Sequence, residues 1–334
     1  MGTLSRFLSA LLTCGAVIAV ALVWGGYVLW TAPGPASPSA EAVVIPRGST
    51  IGTVAEALEQ QSFIESRVPF VLAARMTGLA PHLKAGEYAF PARASLGQII
   101  GVLREGKPLL RRFTVPEGYT SVQIVRLLEQ EEALTGTIDS QPPEGALLPE
   151  TYLFSRGDSR TDILKRMKDA MDQALTGLWD KRIEGLPFTT PMQAVTLASI
   201  VEKETGVATE RPRVAGVFIN RLKTGMPLQS DPTVSYAVTK GKEVLDRPLS
   251  RKDLALNSPY NTYVVPGLPP GPIANPGLAS LKAVLDPEKH DFLYFVADGT
   301  GGHVFARSLE EHNKNVSAWR RLSDGKQETG TISR

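Results

Sequence analysis

The sequence predicts an α+β protein: a single N-terminal transmembrane helix, a small strand–turn–helix subdomain, and a larger mixed α/β domain. Three observations predict it. A charge-free apolar run extends from Phe7 to Trp30, a strand–turn–helix pattern occurs twice at a constant offset, and helical and strand patterns alternate from about Arg111 to Leu322. The corresponding boundaries are a cytoplasmic tail at 1–6, the span at 7–30, a linker at 31–42, the small subdomain at 43–110, the larger domain at 111–325 and a flexible tail at 326–334.

A bilayer core needs about 20 apolar residues as a helix, and the run from Phe7 to Trp30 supplies them. Trp24, Tyr27 and Trp30 gather at its C-terminal end, where amphipathic rings favour the headgroup layer. Arg6 on the other flank is an inside signal, so the bulk of the chain is expected outside. A cleaved signal peptide is the competing reading, with a cut after the small residues near Ala40. Its apolar core of about 7–15 residues would be shorter than this run, which favours a retained anchor. Residues 31–42, rich in Ala, Pro and Ser, read as an extended, semi-stiff linker holding the soluble part off the membrane.

After the linker comes a short apolar strand, a Pro-Arg-Gly-Ser-Thr turn and a helical pattern through Val54, Ala55 and Leu58. The unit recurs: Val44-Ile-Pro-Arg-Gly-Ser-Thr leads to Leu58-Glu-Gln, and Thr114-Val-Pro-Glu-Gly-Tyr-Thr leads to Leu128-Glu-Gln. The first copy resembles the opening of a LysM module, a small glycan-binding fold begun by a strand, a Gly-(Asp)-Thr turn and a helix. Ser49 stands where that module usually has Asp, so a sugar-binding role and a purely structural one both remain open. Lys84-Ala-Gly-Glu-Tyr-Ala-Phe then reads as a strand leaving a turn at Gly86, followed by a helix from Ser95 to Arg104.

Composition excludes several function classes. The net charge of +2, with basic and acidic residues evenly mixed, is no nucleic-acid footprint. The lone cysteine, Cys14, sits inside the apolar run, so neither a disulfide framework nor a thiolate metal site is expected. His82, His290, His303 and His312 show no metal-ligand spacing, and no metal is expected. No G-x-G-x-x-G or G-x-x-x-x-G-K-[ST] loop is present, and no cofactor is expected. Near the end, Phe292–Ala297 and His303–Ala306 flank Asp298-Gly-Thr-Gly-Gly, a hairpin with a backbone-geometry loop, and Ser308 with Glu311 opens the last helix as a capping box.

The most informative stretch runs from Thr190 to Thr205. Thr190 as N-cap, Pro191 at the first helical position and Gln193 as capping-box partner start a helix, and Gly206 is a natural stop. At 100° per residue Ala194, Leu197, Ala198, Ile200 and Val201 form one apolar arc. Glu204 falls inside that arc, Glu202 at its edge and Lys203 outside it. A carboxyl on a buried helix face, close to the negative helix C-terminus, has its pKa raised and becomes a proton donor. A salt bridge from Glu204 to Lys203 or a nearby Arg is the purely structural alternative.

Ala198-Ser-Ile-Val-Glu-Lys-Glu-Thr205 is followed by Val217-Phe-Ile-Asn-Arg-Leu222, Leu228-Gln-Ser-Asp-Pro-Thr-Val234, Tyr260-Asn-Thr-Tyr263 and Gly267-Leu-Pro-Pro-Gly-Pro-Ile-Ala274. Together with Glu144-Gly-Ala-Leu-Leu-Pro-Glu-Thr-Tyr152, Tyr294-Phe-Val-Ala-Asp-Gly, Gly302-His and His312-Asn-Lys, this ordered set resembles the MltG (YceG-like) endolytic murein transglycosylases. The resemblance implies a LysM-like subdomain and a catalytic domain on the periplasmic side of a bacterial inner membrane, peptidoglycan glycan strands as substrate, and possible contact with peptidoglycan synthases.

It also implies that Glu204, the second Glu of Glu-Lys-Glu, is the catalytic acid. Glu204 would protonate the oxygen between N-acetylmuramic acid and N-acetylglucosamine, then take the proton of the muramyl C6 hydroxyl as that hydroxyl closes a 1,6-anhydro ring on C1. Glu202, Gln229, Ser230, Asp231, Asn261, Tyr263 and Glu150 are the expected substrate-binding residues. Each has a local alternative: Ser230 or Asp231 as cap of a helix beginning at Pro232, Asn261 as a turn-fixing residue, Glu150 as a backbone-binding carboxylate, Glu202 as a surface partner. The rival functions are a hydrolytic muramidase using Glu204 with Glu150 or Asp231, and a non-catalytic, membrane-tethered peptidoglycan-binding scaffold.

Overall fold

A computed structural model of the chain describes residues 2–36 and 42–330. Met1, residues 37–41 with the candidate cleavage point at Ala40, the side chain of Arg6 and the last four residues of the expected tail lie outside the described residues. The chain divides into two compact units. The first comprises residues 1–112 with 133–135 and 153–158, and the second the remainder.

The first unit opens with α1 (Gly2–Thr31), a helix long and apolar enough over Leu11–Thr31 to cross a membrane. It takes in residues 2–6, expected as a separate tail. Then follow β1 (Ala42–Ile45), α2 (Ile51–Gln60), α3 (Arg67–Met76), a short 3-10 turn at Ala80–His82, β2 (Gly86–Ala89) and α4 (Leu96–Glu105). β1 pairs antiparallel with β2, Val43 opposite Tyr88 and Ile45 opposite Gly86. Val43, Ile45, Leu58, Phe70, Tyr88 and Leu103 meet in the core beneath that ribbon. The alternation in β1 and the 3.6-residue spacing in α2 each turn one apolar face inward.

The second half of the chain continues through β3 (Arg111–Thr114), α5 (Ser121–Gln130), β4 (Thr151–Phe154), α6 (Arg160–Trp179), α7 (Pro191–Glu204), α8 (Arg211–Thr224), α9 (Asp231–Thr239), α10 (Arg251–Leu254), α11 (Leu278–Leu285), β5 (Tyr294–Ala297), β6 (His303–Ala306) and α12 (Leu309–Gly330). β3 pairs with β4, and β5 with β6 in an antiparallel hairpin. α12 carries helical backbone through residues 326–330, where a flexible tail was expected.

The internal repeat is built in three dimensions. Each copy is a four-residue strand, a turn with a left-handed glycine (Gly48, Gly118), a threonine capping box (Thr50, Thr120) and a ten-residue helix. Only glycine enters that backbone region without steric cost, which explains why both copies keep it.

The helix started by Thr190 is the centre of the second unit. Its capping box forms: Thr190 Oγ1 accepts from Gln193 N, and Gln193 Oε1 accepts from Thr190 N. α6, α8, α9 and α11 all pack against it. Every residue from Ala194 to Val201 is therefore buried, including Thr196 and Ser199, whose hydroxyls bond back into the structure. The expected one-sided apolar arc is thus too narrow, because a helix surrounded by four others has no solvent face to mark.

Candidate active site

α7 ends at Glu204, and the segment entering α9 comes up against it. Ser230 occupies the N-cap position of α9 but makes no cap; its hydroxyl donates instead to Glu204 Oε1 at 2.5 Å. Two hydrogen bonds hold it there. Ser230 N donates to Thr262 Oγ1 at 3.0 Å, and Thr233 Oγ1 lies 2.9 Å from Thr262 Oγ1, so three buried hydroxyl residues lock the two loops together. Gln229, exposed and next in the chain, holds a left-handed φ of +50°, the sort of local strain that surrounding structure must sustain.

Burial pushes the Glu204 carboxyl up to about 7; the Ser230 hydrogen bond works against that rise, the Asp231 charge adds to it, and His303 and Arg221 offset it in part. Among the described residues Glu204 takes part in no ion pair. Asp231, exposed at the first position of α9, accepts from Tyr263 Oη at 2.6 Å. Asp231 and Lys203 also line a groove of about 370 Å³, with Gln123 and Tyr236 further along it. The expected cluster of Glu204, Gln229, Ser230, Asp231 and Tyr263 is therefore brought together.

Three expected contacts are placed elsewhere. Glu202 is 4% exposed and accepts from Arg211 Nη2 at 3.0 Å and from Gly277 N at 2.9 Å, with Glu117 on the same guanidinium. The salt bridge considered for Glu204 belongs to its neighbour two residues earlier. Asn261 is fully buried: its amide donates to Leu254 O and Leu256 O and its oxygen accepts from Tyr263 N, so it locks the loop that presents Tyr263 rather than meeting a ligand. Glu150 is exposed and accepts from Thr151 N, the backbone-binding alternative.

The carboxylate of that motif nearest the groove is Glu144, which sits behind Tyr236. Glu144 Oε1 accepts from Ser121 N and Asn275 Nδ2, and Oε2 lies 3.5 Å from the hydroxyl of groove-lining Tyr236. Burial raises its pKa. Sequence reasoning also missed Arg221, His303, Tyr294 and His312. Arg221 donates to Leu293 O and Leu228 O and lies over the Tyr294 ring, which stacks on His312. His303 is held by Glu210 through its backbone N at 3.0 Å and Nδ1 at 2.8 Å. All four stand in matching motifs, but nothing in their spacing says that the hairpin β5–β6 and α8 converge on the end of α7.

A half-buried carboxyl titrating near neutrality, paired with a hydroxyl and set beside a groove, is the equipment of a general acid. Residues 43–318 match the YceG-like family. The chain is 35% identical over 302 residues to the endolytic murein transglycosylase of Bacillus subtilis (strain 168), across 81% of this chain and 82% of that one. It is 31% identical over 319 residues to the endolytic murein transglycosylase of Streptococcus pneumoniae (strain ATCC BAA-255 / R6), across 82% of this chain but 57% of the other, so it spans little more than half the length of that relative. A crystal structure of a yceG-like protein from Listeria monocytogenes is 33% identical, with a TM-score of 0.51 over 83% of this chain and 99% of that one. The chain belongs to the YceG-like family.

Proposed function

We propose that this chain is an endolytic lytic transglycosylase of peptidoglycan, held in a bacterial inner membrane by α1 with its enzyme domain on the periplasmic side. The observation that carries the reading is the Glu204 carboxyl, raised to about 7 by burial and hydrogen-bonded to Ser230 rather than to a cation. Near neutral pH a substantial share of such groups still hold their proton. The descriptions of the relatives supply the substrate class.

In the proposed reaction Glu204 gives its proton to the oxygen of the N-acetylmuramic acid to N-acetylglucosamine bond. That bond breaks and positive charge develops at C1. The carboxylate then accepts the proton of the muramyl C6 hydroxyl while the C6 oxygen bonds to C1, leaving a 1,6-anhydro end and consuming no water. Because nucleophile and electrophile share one sugar, the effective concentration is very high, and one carboxyl serves both proton transfers. Asp231, which accepts from Tyr263, would favour the positive centre, and the exposed Gln229 side chain would meet acetamido or hydroxyl groups. Cutting nascent strands beside the synthases would terminate their elongation. The β1–α2–α3–β2 unit is proposed as the LysM-like glycan-binding part.

Asp231 also supports a second reading, hydrolysis with a base-activated water, since it supplies a second carboxylate beside the acid. Mass spectrometry of fragments from purified glycan strands separates the two. Anhydro-muramyl ends from the parental protein and no fragments from Glu204→Gln are expected. Reducing ends would establish the hydrolytic reading, and undiminished digestion by Glu204→Gln would remove the acid assignment.

A further inference from the structure

In the first unit, α3 carries an apolar row on the wrong side for a water-facing helix. Phe70 and Ala74 are buried, while Val68, Leu72 and Met76 are 69%, 60% and 80% exposed. At 100° per residue these three share an arc of about 80°, opposite the buried face. Exposed apolar residues scattered singly need no explanation, but a contiguous row marks a contact surface.

What covers the row is indicated by the neighbour it faces. A hollow of about 360 Å³ is lined on one side by Gly26, Tyr27 and Trp30 of α1 and on the other by Leu72 and Met76. Gly26 lies five residues before the end of the apolar helix at Thr31, about 7.5 Å along its axis. If the apolar stretch ends at the membrane surface, side chains level with Gly26 and Tyr27 would lie at the depth where amphipathic helices bury their apolar face, about 5–10 Å into the boundary between headgroups and acyl chains.

The seating of the unit on α1 is built, not incidental. A Cβ on Gly97 of α4 would lie 2.6 Å from the Trp30 indole, so the glycine makes room for that ring. Gly34 N donates to Arg93 O at 3.0 Å, and a Cβ on Gly34 would come 2.5 Å from Ala94 O. The start of the expected linker, at Gly34, is thus fastened to the unit. Exposed Arg75 flanks the row.

We propose that the α3 face formed by Val68, Leu72 and Met76 is a lipid-contact surface, seated in the outer leaflet beside the end of α1, so that the small unit rests on the membrane instead of floating above it. The inference rests on α1 spanning a membrane, and the experiment separates the two claims.

The full chain, with Cys14→Ser to remove its only cysteine, is reconstituted into vesicles of phosphatidylcholine and phosphatidylglycerol. Single cysteines replace Leu72, Met76, Val20 as anchor control, or Lys107, 82% exposed, as aqueous control. Each carries an NBD fluorophore and is challenged with doxyl-labelled lipid. Quenching at positions 72 and 76 several-fold above that at 107, together with strong quenching at 20, is the expected result. Strong quenching at 20 with positions 72 and 76 behaving like 107 would overturn the surface and leave the anchor standing. No quenching at 20 would overturn both. Disulfide-linked dimers of the unlabelled position-76 variant, with little lipid quenching of its labelled form, would mean that a second copy covers the face, which also overturns the proposal.

Discussion

Replacing Glu204 by Gln should abolish activity and, at alkaline pH, stabilise the protein. The carboxyl titrates near 4.5 in an unfolded chain and near 7 in the folded one. Between those values the folded state holds a proton that the unfolded state has released, so stability falls as pH rises from 4.5 to 7 and is level on either side. At about 1.4 kcal/mol per pH unit, the cost of keeping this group buried at pH 8 is roughly 3 kcal/mol. Glutamine has the same shape, carries no charge at any pH and still accepts from Ser230. The variant should therefore melt higher than the parent at pH 8, by about 6–12 °C for a domain of this size, and at the parental temperature near pH 4. Thermal unfolding of both full chains in detergent at the two pH values, alongside digestion of purified glycan strands, provides the test. Equal melting temperatures at pH 8, or a stabilisation that does not depend on pH, would refute the claim that burial sets the proton affinity of this group.

Two neighbours should move the alkaline limb of the pH–rate profile in opposite directions. Ser230→Ala removes an interaction that lowers the Glu204 pKa and should shift the limb to higher pH, while Asp231→Asn removes a charge that raises it and should shift the limb to lower pH. Profiles of kcat/KM on soluble glycan strands report both. Glu202→Gln should act through the fold: it leaves buried Arg211 facing only the more exposed Glu117, and should cost about 2–3 kcal/mol in denaturant melts while the pH profile of the surviving enzyme stays in place. Asn261→Ala strips donors from Leu254 O and Leu256 O and should cost about 2 kcal/mol, with a melt as readout and a fall in kcat from the loosened Tyr263 loop.

Local sequence was sufficient wherever the physics is local. The capping box of Thr190 and Gln193, the twin strand–turn–helix units and the hairpin around Asp298-Gly-Thr-Gly-Gly depend on residues a few positions apart, and each forms as written. The raised proton affinity of Glu204 was legible too, since a carboxyl at the end of an apolar helix has few ways to keep its charge. Helical periodicity told it from Glu202 by position on the helix, but the partner each carboxyl meets was not legible. Both side chains leave the same buried helix; one meets Arg211, 9 residues on, the other Ser230, 26 residues on. Only the packing of α8 and α9 around α7 decides which carboxyl is matched by a cation and which by a hydroxyl. The same holds for Glu144 against Glu150, and for Arg221 and His303: motifs pick out the stretch of chain, but long-range contacts choose which partners each side chain meets. The apolar run of α1 could be read residue by residue, whereas the exposed row on α3 acquires its meaning only from lying beside that run in space.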